Sequence, residues 1–312
     1  MKWIGFFILV LMTLLLFGFT LFSAFDYDIY IVPVLFFIVA CFLIGSIKVF
    51  RETRRLEAKV RIFLGTIFAV ALGTLSTYFI SVYFDLGAII AAALVGIIAA
   101  MTITDYAVEI YCGAFVGMVS PEVLDDFTHI IIAGFVAGII FYLSRGSFKG
   151  YGGKLGTIAF SSWIIMILIS KCELVDELTE IRHFGMIVVL YSIGAAVITY
   201  ILSIRLRNGP VLASGLISLA GALMLPAIYN ENAATLSAVV MAASFVGMSS
   251  KKRLKNELEV LLSGVIMGIL FVYSVNHFCG AGGKLGTLAF ASVVSTNGLL
   301  FLIRKIKKKQ LQ

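Results

Sequence analysis

Polar residues interrupt this chain at short intervals and leave twelve apolar segments between them. These are 3–23, 29–48, 62–84, 86–103, 106–120, 127–144, 155–170, 184–204, 211–228, 234–250, 257–275 and 285–303. Most approach the ~20 apolar residues that a helix needs to cross the hydrocarbon core of a bilayer. None shows the alternation of a barrel strand. The pattern predicts an all-α polytopic membrane protein with about 12 transmembrane segments. The fifth, seventh, ninth and tenth segments are the shortest or most polar. For 106–120, 155–170 and their copies the sequence leaves spanning and re-entry both open.

Composition agrees. The chain is 61% hydrophobic and 13% charged, with mean hydropathy +1.08, more apolar surface than a soluble domain of 312 residues could hide. The first segment, behind Met1, Lys2 and Trp3, is too long for a signal-peptide core and has Phe22 at −3 to a cut after Ala24; it is expected to stay as a span.

Charge sorts the loops. Lys48, Arg51, Arg54, Arg55, Lys59 and Arg61 form one basic loop, Arg145, Lys149 and Lys154 a second, Arg205 and Arg207 a third. A fourth holds Lys251, Lys252, Arg253 and Lys255, and the tail is basic again. The alternate loops carry Asp26 and Asp28; Asp85; Glu122, Asp125 and Asp126; Glu173, Asp176, Glu177 and Glu180; Glu231. The positive-inside rule then places both termini in the cytoplasm of a bacterial-type plasma (inner) membrane. The net charge of +7 is expected to serve topology and lipid headgroups, with no nucleic-acid partner.

The chain also says one thing twice. Residues 150–160 read GYGGKLGTIAF and 280–290 read GAGGKLGTLAF. At the same offset of 130, residues 115–118 and 245–248 both read FVGM, Ser120 matches Ser250, and Gly134, Gly138 and Phe141 match Gly264, Gly268 and Phe271. Such periodicity marks a duplicated unit. Acidic residues follow Ser120, whereas Lys251 to Lys255 follow Ser250, so equivalent points face opposite sides. The expected architecture is an N-terminal transmembrane hairpin and basic loop (1–52) followed by two five-helix inverted-topology repeats, 53–182 and 183–312. The hairpin is expected to pack against the repeats or mediate oligomers.

Inverted repeats pack around a pseudo-twofold axis in the membrane plane, an architecture shared by many secondary transporters. The sequence therefore points to a carrier for a small anionic or polar solute bound between the repeats. A channel or a non-transporting scaffold subunit is the alternative, and a lipid-processing membrane enzyme a weaker one, since no H-E-x-x-H, G-x-S-x-G or paired-histidine motif occurs.

The expected substrate site is the repeated glycine-lysine element: Gly152, Gly153, Lys154 and Thr157 with Gly282, Gly283, Lys284 and Thr287. The glycines permit a tight turn, the following helix N-terminus favours an anion, and each lysine adds a full positive charge. Snorkelling lysines and packing glycines are the bland counterpart of that assignment. Asp105 and Glu109, at i, i+4 spacing, are expected to share a helix face and couple a proton or sodium ion. Gly134–Gly138 and Gly264–Gly268 read as close-packing motifs. Cys41, Cys112, Cys172 and Cys279 and the three histidines (His129, His183, His277) form neither a metal-ligand spacing nor a disulfide framework, and no metal or cofactor is expected. Pro33 is expected to kink the second segment.

Overall fold

The computed structural model describes residues 2–53, 63–123, 126–170, 185–230 and 232–310. Arg54, Arg55, Lys59, Arg61, Asp125, Cys172, Glu173, Asp176, Glu177, Glu180, His183 and Glu231 lie outside the described residues, as does the expected boundary at 182/183. No strand occurs among the described residues. The helices are α1 (Lys2–Tyr27), α2 (Val32–Thr53), α3 (Phe63–Tyr83), α4 (Ala88–Thr102), α5 (Ala107–Val116), α6 (Phe127–Ser144), α7 (Lys154–Ser170), α8 (Gly185–Tyr200), α9 (Pro210–Met224), α10 (Ala233–Gly247), α11 (Glu257–Ser274) and α12 (Lys284–Gln310). Each expected apolar segment coincides with one of them.

Among the described residues eight helices are long and apolar enough to cross a membrane, so the protein is a helical membrane protein. The helices that fall short are α4, α5, α7 and α10, whereas a π-turn over Ile201–Arg205 carries α8 on to 21 residues. The ninth segment, expected over 211–228, is found as an 18-residue span, Pro210–Ala227, because a 3-10 turn over Leu225–Ala227 extends α9. The fourth is shorter than expected because Gly87, at φ 76, delays its start and Ile103, at φ −122, ends it. At ~1.5 Å rise per residue, α5 covers about half of the ~30 Å hydrocarbon core. Pro33 falls at the second position of α2, where its missing N–H has no helical partner to lose, so it begins the helix instead of kinking it.

Polar contacts sort the loops to two ends. Arg253 pairs with Glu52, Arg205 with Glu257 and Arg304 with Glu259, at 2.7 to 2.9 Å. Arg253 also reaches the Lys149 carbonyl. Glu259 doubles as a helix cap there: its carboxylate accepts from Lys255 N–H while Asn256 Oδ1 accepts from Glu259 N–H. This is the basic end. At the acidic end Tyr273 donates to Asp28, Ser23 bonds His277 Nε2 at 2.5 Å, and Ser120 N–H donates to the Gly280 carbonyl.

The positive-φ residues among those described fall into five pairs. Phe148 and Phe278, Gly150 and Gly280, and Gly153 and Gly283 are 130 residues apart; Asp85 and Arg207, and Gly87 and Gly209, are 122 apart. Packing follows the same two spacings. Gly117 lies against Thr74, Thr77 and Tyr78, and Gly247 against Ala196, Thr199 and Tyr200. Gly134 and Gly138 seat α6 on Ala71 and Ile67 of α3, while Gly264 and Gly268 seat α11 on Ile193 and Val189 of α8. The change of spacing falls at residues 225–232, between α9 and α10. Outside this pattern, α1 and α2 form a hairpin whose α2 packs along α12.

Candidate functional site

The glycine-lysine elements sit where α7 and α12 begin, and the two helix starts cross each other. A methyl group on Gly156 would lie 2.5 Å from the Gly286 Cα, and one on Gly286 2.6 Å from the Gly156 Cα. Gly153 abuts the Gly286 carbonyl, and Gly283 abuts the Gly156 carbonyl. The glycines of both elements thus meet, backbone against backbone. Gly152 and Gly282 lie on the last turns of α10 and α5, where a side chain would strike the Phe245 or Phe115 carbonyl.

The lysines part company. Lys154 Nζ donates to the Ser144 and Ser147 carbonyls at 2.6 and 2.7 Å, across the C-terminus of α6. Lys284 Nζ donates to the Val275 carbonyl at 2.8 Å, at the C-terminus of α11. Each ammonium meets the negative end of the preceding helix, and the two are drawn toward opposite ends of the molecule. Thr157 and Thr287 turn back to the Gly153 and Gly283 carbonyls of their own first turns. Sequence alone could place the lysines at helix starts but not show which carbonyls they reach.

A cavity of about 280 Å³ adjoins the second element. Phe115 and Phe245, from the two FVGM stretches, form part of its wall with Phe278; Thr235, Cys279 and Lys284 supply polar atoms. Lys284 is only 8% exposed. The chamber is thus mainly apolar with one cationic side chain and a helix N-terminus at its edge.

Asp105 and Glu109 do not share a helix face. Asp105 is exposed in a 3-10 turn (Thr104–Tyr106), and Tyr106, at φ −119 and ψ 10, breaks the helical path before α5. Glu109 is buried, with Arg145 Nη2 3.7 Å away. Arg145 also bonds the Thr66 hydroxyl and lies over the Tyr142 ring. Sequence reasoning found the buried carboxylate and missed its arginine, which reads as one more topology-setting charge.

It also missed a hydroxyl network between α5, α9 and α10. Ser244 donates to the Met241 carbonyl at 2.7 Å, so its oxygen accepts from Ser214 and Ser218 at 2.8 and 3.1 Å; Tyr111 then donates to Ser214 at 3.0 Å. All four residues are fully buried. The i, i+4 spacing of Ser214 and Ser218 was the available signal. Tyr111→Phe should cost about 1 kcal/mol, because one bond is lost and no donor is stranded. Ser244→Ala should cost about 2–3 kcal/mol, because two buried hydroxyls lose their acceptor. Thermal denaturation in detergent would check the order, and equal costs would contradict the assigned directions.

Comparison with protein-family models, curated proteins and solved structures gives no match.

Proposed function

We propose that this protein is a secondary carrier for a small anion with an apolar body, and not an enzyme. The supporting observation is the cavity at the start of α12, where one buried lysine borders a mainly apolar chamber beside a crossing of two helix starts. Such a chamber favours a ligand with one negative group and a hydrophobic remainder. The paired backbone turns and the paired glycine contacts support two repeats, with units near 53–182 and 183–312 behind the hairpin 1–52, and the holding of Lys154 and Lys284 toward opposite ends supports their opposite orientation. Exchange of conformation between such repeats moves access from one side of a central site to the other. The gathering of basic loops at one end supports a cytoplasmic basic end, both termini inside, in a bacterial-type inner membrane. Glu109, a buried carboxylate beside Arg145, is the residue proposed to couple a proton or sodium ion.

Proteoliposomes test this directly, with radiolabelled benzoate as the probe and acetate and phosphate alongside it. Benzoate inside should accelerate benzoate entry from outside, which a channel or scaffold does not do. An imposed proton or sodium gradient should drive accumulation in the wild type and not in Glu109→Gln. A well-folded protein that shows no counterflow with any of these anions loses the proposed role.

A further inference from the structure

The basic end holds the counterpart of the cavity's rim, built on the same backbone bond that joins Ser120 to Gly280 there. The Gly150 carbonyl accepts from Ser250 N–H at 2.9 Å, and Gly152 N–H donates to Ser249 Oγ at 3.1 Å. Arg253 lies across this seam. Its Nη1 pairs with Glu52 Oε2 at 2.7 Å, its Nε donates to the Lys149 carbonyl at 3.0 Å, and its guanidinium carbon stands 4.5 Å from the centroid of the Tyr151 ring. The side chain is only 17% exposed. One residue therefore ties together the end of α2, the loop before α7 and the loop after α10.

Among the described residues the matching place at the acidic end carries an apolar side chain instead of an arginine. Val123 stands 130 positions before Arg253, packed beside Gly280, and the cavity is at that end. The carboxylate that completes the tie comes from the hairpin, outside both repeats. The lining differs as well. Thr235, Val275 and Cys279 border the cavity, and the residues 130 positions earlier are Asp105, Arg145 and Lys149. With Lys154 beside them, these would make a predominantly cationic vestibule.

We propose that the site has a second mouth at the basic end, lined by Arg145, Lys149 and Lys154, and that Arg253 is the strap that closes it with Glu52 as its catch. This rests on the carrier function proposed above. Releasing the strap frees the loop that carries Tyr151, Gly152 and Gly153. Because the starts of α7 and α12 press on each other at Gly156 and Gly286, opening one mouth closes the other.

Two native thiols report the two mouths. Cys279 lines the cavity; Cys112 is buried with its Sγ 3.4 Å from the Leu155 carbonyl, behind the strapped loop. Full-length proteins keeping one of these cysteines, the others changed to serine, would be labelled with a membrane-impermeant maleimide from each side in oriented vesicles. Arg253→Ala and Glu52→Gln should each raise the Cys112 labelling rate from the basic side about tenfold and lower the Cys279 rate from the acidic side, as a shift between two states requires. Glu52→Gln preserves shape and decides the matter if Arg253→Ala fails to fold. Unchanged Cys112 labelling, or a rise at both cysteines, overturns the strap. Reciprocal labelling without counterflow keeps the strap and removes the carrier; counterflow without reciprocal labelling does the opposite.

Discussion

Gly156→Ala will destabilise the protein by about 1–3 kcal/mol, the usual range for overpacking a filled core, whereas Gly194→Ala will stabilise it by about 0.5–1 kcal/mol. The substitutions are chemically identical. At Gly156 the added methyl meets the Gly286 Cα at 2.5 Å and the Gly283 carbonyl and Gly286 nitrogen at 3.0 Å, all backbone atoms that no rotamer change can move. Relief requires α7 and α12 to separate. Around Gly194, within α8, nothing lies within 4 Å of the new group, so only the helix-propensity gain remains. Gly156→Val should exceed the alanine cost, since its two γ-carbons must also be placed against α12. Thermal denaturation midpoints in detergent would read the three variants. Equal midpoints for the two alanine variants would mean that the crossing is loose and cannot serve as a pivot.

That crossing shows what the sequence could and could not convey. Apolar runs bounded by charge identify helices because a bilayer demands long apolar segments with satisfied backbone groups, and all twelve runs are found as helices. Length within a run is less legible. Residues 106–120 read as one apolar stretch, yet α5 stops at Val116, and nothing in the hydropathy of Gly117, Met118 and Val119 marks the stop. The repeat was visible where backbone approaches backbone, because only glycine fits there and the letters are held: Gly153, Gly156, Gly283 and Gly286. It was invisible between α3 and α8, whose contacts are made by interchangeable side chains such as Ile67 and Val189 at a spacing of 122 instead of 130. Asp105 and Glu109 appeared to share a face because spacing assumes an unbroken helix, and Tyr106 breaks it. The serine network escaped notice because Ser214, Ser218 and Ser244 each resemble a small helix-packing residue when taken singly.

Lys284→Met and Lys154→Met should separate the two roles that sequence and geometry assign to these residues. Both remove an ammonium from the carbonyls that end the preceding helix, Val275 in one case, Ser144 and Ser147 in the other. Losing a charge-assisted bond of this kind costs about 1.5–3 kcal/mol, so both variants should be less stable than the wild type. Ligand binding should not fall equally. Lys284 borders the cavity, and Lys154 does not. Benzoate affinity should drop about tenfold or more in Lys284→Met, since each ~1.4 kcal/mol of lost interaction is a factor of ten. In Lys154→Met it should stay within about twofold, well under that interval. Lys284→Arg retains the charge and should recover most of the affinity even if the cap geometry suffers. Isothermal titration on detergent-solubilised protein, with stability read in parallel, distinguishes the cases. Equal affinity in both methionine variants at equal stability loss would reduce the lysines to helix caps. Loss in Lys284→Met alone would instead make the charge at the cavity wall a ligand-binding group, with Lys154 held for the opposite mouth.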